Sequence, residues 1–465
     1  MNPFDLAVIG AGPGGYVAAI RAAQLGMRVA LVEKEASLGG TCLNVGCIPS
    51  KALLESSELF HQATKGLPKH GIRTGKVELD LGQMMARKDQ VVKQLTDGIG
   101  VLMKKNKILV VKGHGALAGE ARVRVREHEG EKEIQAGHIL LAAGSLPVEL
   151  PGVPFDGKRI VSSTEALAFL QVPEHLVVVG GGAVGLELGS VWSRLGSQVT
   201  VIEMLPHILP FADRQAAKAL ERILAKQGLT FRLDSKVSSA RIEGDRLKLN
   251  VTDEKGNTES LSCDKLLVSA GRRPATDGLG LEEAGVRLDK AGRIEVDDNF
   301  WTGVKGVFAI GDLVRGPMLA HKAQEEGVAV AERIAGKAGQ VNYGALPNVV
   351  YTSPELAQVG VTEEEAKTRG IPYKSGRYYF KANGRAKCLG EEEGVVKILS
   401  HAETDRLLGI HILGPRASEL ISEAVTALEF HGSTEDVART AHAHPTLSEV
   451  LKEAALAVDR RSIHG

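Results

Sequence analysis

Two thiols stand five positions apart in the run Gly39-Gly40-Thr41-Cys42-Leu43-Asn44-Val45-Gly46-Cys47-Ile48-Pro49-Ser50-Lys51. A close cysteine pair can cycle between dithiol and disulfide, or it can hold a metal. Five residues of ideal helix rise about 7.5 Å, beyond the roughly 7 Å over which two Cα atoms can be bridged. A bonded Cys42–Cys47 pair therefore requires a departure from ideal helix, and Gly46 supplies local freedom for it. A helix can follow, with Pro49 tolerated in its first turn and Ala52 to Phe60 continuing it. A thiol at that N-terminus has its pKa lowered by the helix dipole, which makes Cys47 the better stabilised thiolate. The metal reading lacks a second Cys or His pair at suitable spacing, and a chance pair is the third alternative. Cys263 and Cys388 are isolated in sequence and read as packing residues.

Near the other end stands Ala441-His442-Ala443-His444-Pro445-Thr446-Leu447-Ser448-Glu449. Disulfide exchange needs a base that takes a proton from an incoming dithiol and returns one to a leaving thiolate, and histidine titrates in the right range. A carboxylate that orients the imidazole completes such a pair. Thr446 to Glu449 is equally a capping box for a helix over 449–459. Spacing alone leaves both readings open.

These residues must be positioned by larger elements, and an internal repeat shows what some of them are. Residues 5–33 (DLAVIGAGPGGYVAAIRAAQLGMRVALVE) recur at an offset of 170 as residues 175–203 (HLVVVGGGAVGLELGSVWSRLGSQVTVIE). Gly10, Gly12 and Gly15 fall on Gly180, Gly182 and Gly185, and Glu33 falls on Glu203. Each copy reads as strand, turn, helix and strand. The first strand is apolar throughout, as burial on both faces demands. Its glycines allow the tight turn, the approach of a pyrophosphate and the packing of helix on strand. The helix N-terminus offers N–H groups to phosphate, and the carboxylate stands where a ribose hydroxyl pair is held. Two units imply two dinucleotides. At the second, Glu203 would repel a 2′-phosphate, which favours NAD over NADP.

At 465 residues the chain is long enough for two to four domains. Fifty-seven basic residues balance 57 acidic ones, so no excess charge points to nucleic acid or an acidic membrane surface. No apolar run reaches the ~18 residues of a membrane helix. Met1 to Asp5 leads almost directly into Leu6-Ala7-Val8-Ile9, without the basic start and long apolar core of a secretory signal. The expected location is cytoplasmic, or the chain is a mature one whose presequence has been removed.

GGTCLNVGCIPSK following GxGPGG is similar to the active-site signature of the pyridine nucleotide–disulfide oxidoreductases, a family of flavoproteins. The resemblance runs from end to end and implies FAD and NAD as cofactors. It makes Cys47 the thiol that faces the flavin as a charge-transfer thiolate and Cys42 the one that exchanges with substrate. It sets Lys51 near flavin N5, with Glu187 as its partner. Gly10, Gly12, Gly15, Glu33, Gly115 and Gly144 would line the FAD site. Thr302 to Asp312 resembles the second flavin motif, with Asp312 on the ribityl chain, and Met318 to Ala323 follows with the Ala320 backbone along the flavin. Gly180, Gly182, Gly185, Glu187, Glu203 and Gly271 would serve NAD. Ala143 and Ala275 depart from the family's usual Thr and Asn. HAHPTLSE resembles the family's base motif, which makes His444 the base, Glu449 its partner and His442 structural. In relatives that histidine reaches the cysteines of the other subunit, so a homodimer with a shared active site is expected.

The fold class expected is α/β, with two Rossmann-like dinucleotide-binding domains and a C-terminal α+β dimerisation domain. Its segments are an FAD part at 1–145, an NAD domain at 146–270, a return to the FAD domain at 271–342, and an interface domain at 343–465. The activity implied is oxidation of protein-bound dihydrolipoamide to lipoamide with NAD as acceptor. Its partners would be lipoyl domains and the core of a 2-oxo acid dehydrogenase or glycine cleavage complex. A glutathione-reductase-type enzyme shares the fold and the cysteine pair but ordinarily carries basic residues where this chain has Glu203-Met204-Leu205-Pro206.

Overall fold

The computed structural model describes residues 3–127 and 130–465; Met1 and Asn2 of the stretch Met1 to Asp5 lie outside the described residues. The chain divides into two compact units. The first comprises Met1–Ala52, Gln83–Val148 and Gly271–Val341. The second comprises Leu53–Gly82, Glu149–Ala270 and Asn342–Gly465.

In the first unit a parallel sheet runs Leu109–Lys112, Val29–Glu33, Phe4–Ile9, Gly130–Leu141 and Val307–Ala309. The long strand Gly130–Leu141 also pairs antiparallel, through its first half, with Arg122–Glu127. The central strand explains its own composition. Leu6 and Val8 pack on one face with Ala18, Leu31 and Leu140, while Ala7 and Ile9 pack on the other with Ala30, Val32 and Leu141. A strand covered on both faces cannot alternate polar with apolar.

The second unit repeats this plan. Its parallel sheet runs Leu229–Arg232, Gln198–Ile202, His175–Val179, Lys265–Val268 and Ile160–Val161. The internal repeat is kept down to register. Leu6 pairs with Val29 and Ile9 with Val32, as Leu176 pairs with Val199 and Val179 with Ile202. A separate five-stranded antiparallel sheet spans Asn348–Val350, Glu355–Gly360, Leu407–Gly414, Val395–His401 and Tyr373–Tyr379. The helices Ala417–Glu429, Thr434–Arg439 and Glu449–Val458 share one apolar core with it. The whole is mixed α/β, as expected. The segment Leu53–Gly82 groups with the second unit, where Arg194 at the end of the helix Ala183–Arg194 meets Glu58 at 3.1 Å.

Candidate active site

The cysteine pair lies at a junction of two helices. Cys42 belongs to Gly40–Val45, and Cys47 is the first residue of Cys47–His61. Gly46 separates them with φ −141° and ψ −114°, outside both the helical and the extended regions. A Cβ there would stand 2.8 Å from the Thr41 carbonyl oxygen and 3.2 Å from Cys42 Cα, so the chain can fold this tightly only through glycine. The break returns the Cys42 thiol to hydrogen-bonding contact with Cys47. That hydrogen bond, then burial, then the charge of Cys47 hold the Cys42 thiol far above its usual range, while Lys51 opposes them. Both cysteines are thiols here. Cys263 is the buried packing residue expected, its thiol pushed up to about 12 by burial first and by Asp264 second. Cys388 is not: it is exposed on the short helix Gly384–Leu389, whose one buried residue is Ala386.

The two fingerprints are built alike. Gly10 adopts φ +102° with its Cα against the Ala142 carbonyl, and Gly180 adopts φ +105° against Ser269. A Cβ on Gly15 would meet the Gly10 carbonyl oxygen at 1.8 Å, and one on Gly185 the Gly180 carbonyl at 2.2 Å, so helix and strand pack on bare backbone. Gly12 and Gly182 are the N-caps of Pro13–Gln24 and Ala183–Arg194, and neither helix start has a side-chain cap. The first N–H groups of both helices are thus left for a ligand. Glu33 accepts from the Ala11 and Glu35 N–H groups, both at 2.8 Å. Glu203 accepts from Gly181 at 2.7 Å and Leu205 at 2.9 Å. An ionised carboxylate has about four acceptor positions, so each retains capacity for a ribose hydroxyl pair. These cradles fit FAD at the first fingerprint and NAD at the second.

The remaining positions also fall into place in their own units. Asp312, in the turn Gly311–Leu313, accepts from Ser145 Oγ, which in turn receives Arg272 Nε at 2.7 Å. Beside it, Lys322 Nζ donates to the Gly311 carbonyl at 2.9 Å, and the Gly311 N–H donates to Glu326 at 2.7 Å. Lys322 and Glu326 are themselves a fully buried pair at 3.0 Å. Ala320 opens the helix Ala320–Ile334. Gly144 and Gly271 both take positive φ with open space where a Cβ would be. Gly115 instead packs against Val32 and Ile9, with 3.0 Å from its Cβ position to Val32 Cγ1. Glu187 is buried and accepts from the Tyr351 N–H at 3.1 Å.

At the C-terminal loop Glu449 makes two contacts with its two oxygens. Its Oε1 lies 2.8 Å from His444 Nδ1, and its Oε2 accepts from the Thr446 N–H at 2.8 Å. The second contact is not the expected capping box: the helix begins at Glu449 itself, its N-cap Ser448 makes no side-chain cap, and the Thr446 hydroxyl turns to the Ala443 carbonyl. Burial pushes the Glu449 carboxyl up, but the Thr446 N–H, the His444 ring and the charges of His444 and His442 hold it below the ordinary range. The His444 side chain is 79% exposed. With Nδ1 held by Glu449, Nε2 faces outward and makes no hydrogen bond among the described residues. The supports for Asp312, the Lys322–Glu326 pair and the His442–Glu423 contact were not anticipated. Only the four-residue spacing of Lys322 and Glu326 hinted at one of them.

Residues 4–327 match the pyridine nucleotide-disulphide oxidoreductase family, and residues 346–455 match that family's dimerisation domain. The chain belongs to the pyridine nucleotide–disulphide oxidoreductases. Within the family it is 52% identical to the mitochondrial dihydrolipoyl dehydrogenase of Pisum sativum, covering 99% of this chain and 92% of that one. It is 53% identical to dihydrolipoyl dehydrogenase 3 of Pseudomonas putida, covering 99% of each. A leghemoglobin reductase of Vigna unguiculata is also 53% identical, over 97% of this chain and 87% of the other. The crystal structure of LpdA from Mycobacterium tuberculosis superposes with a TM-score of 0.90 at 28% identity, covering 97% of this chain and 99% of that one. FAD and NAD(H) are the cofactors of the dihydrolipoyl dehydrogenases in this family. The dimerisation domain makes a homodimer the expected assembly. Among the described residues, no helix is long and apolar enough to cross a membrane.

Proposed function

We propose that this oxidoreductase converts protein-bound dihydrolipoamide to lipoamide through Cys42 and Cys47, with NAD as final acceptor. The observation that carries the reading is the contact of the Cys42 and Cys47 thiols across the helix break at Gly46. Two thiols in contact, one half-buried and one exposed, suit two different tasks. His444 Nε2 takes the proton of an incoming dithiol, and Glu449 at Nδ1 stabilises the resulting imidazolium. The substrate sulfur attacks Cys42 of the oxidised pair; the Cys42–Cys47 bond breaks, and Cys47 departs as thiolate. The second substrate sulfur then attacks its own partner sulfur, closing the lipoamide ring. Cys42 is released and takes its proton from His444. His444 in turn takes the proton of the second thiol, so two electrons and one proton have moved from substrate to the cysteine pair, Cys47 remains a thiolate, and the other proton rests on the imidazole. FAD and NAD, when bound, supply the two-electron transfer that reoxidises that pair. Glu33 and Glu203 hold the two ribose ends, and Asp312 the ribityl chain. In the homodimer the His444–Glu449 pair of one subunit serves the cysteines of its partner.

The partners we propose are lipoyl domains of a 2-oxo acid dehydrogenase or glycine cleavage complex. The compartment we propose is the reducing cytoplasm, where a close thiol pair is kept for turnover rather than locked. The test is anaerobic: the purified flavoprotein is mixed with dihydrolipoamide, its visible spectrum is followed, and NAD is then added. A long-wavelength thiolate–flavin band followed by NADH formation supports the reading. Reduction by NADH or NADPH but not by dihydrolipoamide sinks it and moves the substrate to other disulfides.

A further inference from the structure

Two residues before the proposed base, His442 makes a second imidazole–carboxylate contact that the reaction above does not use. Its Nε2 lies 2.8 Å from Glu423 Oε1, and its Nδ1 lies 3.0 Å from the Thr440 carbonyl oxygen. Both partners can only accept. A neutral imidazole carries one N–H and would leave one contact without a proton; an imidazolium serves both. The His442 side chain is 4% exposed, so water offers no substitute.

The contact is also structural glue for the base loop. Glu423 sits on Ala417–Glu429, while Lys452 of the helix Glu449–Val458 donates to the same Thr440 carbonyl at 3.1 Å. Asn383 holds the loop further on, donating to the Thr446 carbonyl at 3.0 Å. The loop is thus tied at His442 to one helix and at Thr440 and Glu449 to another. The charged groups facing His442 are Glu423, Lys452 and Glu449, with His444 on its own loop. The hydrogen bond to Glu423 raises the His442 pKa; burial and Lys452 oppose it, and Thr440 and the Glu423 charge add to it. The His442 charge in turn helps to hold Glu449 ionised.

We propose that His442 and Glu423 form a standing ion pair that positions the base loop and sets the pH at which the His444–Glu449 pair works. His442 is a positioning residue, not a catalytic one. The proposal rests on the base reading of His444 and Glu449. Removing a cation from this neighbourhood makes a second protonation of the loop easier, so the acid limb of activity moves to higher pH.

The experiment compares wild type, H442Q and E423Q by stopped flow, following dihydrolipoamide-driven flavin reduction from pH 5 to 9. In H442Q, which leaves Glu423 unbalanced, the acid limb is expected to move up by roughly half a unit or more. In E423Q, which keeps the hydrogen-bonding shape, the shift is smaller and in the same direction. Titration of ¹⁵N-labelled histidine rings gives the independent readout: the His442 ring loses its proton at clearly lower pH in E423Q than in wild type. An unmoved acid limb in both variants overturns the proposal, as does a lower rate with an unmoved profile, which a merely structural role predicts. Should H442Q not fold, E423Q carries both measurements. H444Q is the control for the underlying reading. If it keeps the full dithiol-driven rate, the base assignment fails, and the ring titration still decides the His442–Glu423 pair.

Discussion

Glu449 divides its two oxygens between chemistry and architecture, with one on His444 and the other on the loop's own Thr446 N–H. An amide can copy only one of these tasks. In Glu449→Gln the carbonyl oxygen keeps Thr446, and the amide N–H turns to Nδ1, which must then accept. The proton is forced onto Nε2, where the base is needed, so dithiol-driven turnover should fall about 10²–10⁴-fold. The thermal midpoint should hardly move, and a steady-state assay beside a melting curve separates the two effects. At the second fingerprint, Glu203 binds two backbone N–H groups and retains acceptors for a ribose. Glu203→Ala removes a charged hydrogen-bonding partner, a loss of roughly 1.5–3 kcal/mol or 10–100-fold in NAD affinity. Flavin content should stay constant, and titration calorimetry with NAD checks the affinity.

At the scale of elements, the helix break at Gly46 brings the two sulfurs together. A methyl group there meets backbone atoms of Thr41 and Cys42, which no rotamer can relieve. Gly46→Ala should cost about 1–3 kcal/mol of stability by overpacking. It should also slow formation of the Cys42–Cys47 bond, read as loss of free thiol under a mild oxidant; oxidation at the wild-type rate counts against the role given to this break. A second element-scale dependence lies in the second unit. Asp213 caps the helix Arg214–Lys226 and is fully buried against Lys397 at 2.7 Å. Lys397 also meets Glu363. Lys397→Met leaves the Asp213 charge buried without its partner, which should destabilise by about 3–5 kcal/mol in urea unfolding. Burial alone would raise the Glu363 carboxyl, but hydrogen bonds from Lys367, Lys397 and Tyr373 bring it to about 2, from an ordinary 4.5. A depressed carboxyl contributes stability that is fully present above the ordinary value and lost as pH falls through the folded one. The contribution of Glu363 should therefore decline between pH 4.5 and 2. In Glu363→Gln the unfolding free energy should depend less on pH over that window.

The whole molecule is the scale on which the proposed base meets the proposed thiols. If each active site draws on both subunits, Cys47→Ser and His444→Gln homodimers are both inactive, but a hybrid dimer has one complete site. Random pairing of the two chains in a C2 dimer makes about half the dimers hybrids, each with one working site of two. Co-expression should thus restore about a quarter of the wild-type activity, measured against the separately expressed variants. No recovery on mixing would mean that base and thiols come from the same chain.

The sequence by itself determined the pieces that depend on local chemistry. Two fingerprints at one offset imply two like sheets, because a buried parallel strand must be apolar and a pyrophosphate turn must be glycine. The structure keeps that likeness down to strand register. The Cys42–Cys47 and His444–Glu449 pairs were also singled out by residue type and spacing, and the folded chain brings the members of each pair into contact. What stayed hidden depends on which distant segments meet. The burial of Lys322 and Glu326 beneath Gly311, the Arg272–Ser145 support of Asp312, and the exposure of Cys388 have no local signature. A lysine and a glutamate four apart on a helix read the same whether they face water or a core. The two contacts of Glu449 were undecidable from spacing for a similar reason: a helix cap and a partner for His444 use the same carboxylate, and only the folded loop shows one oxygen on His444 and the other on the Thr446 N–H.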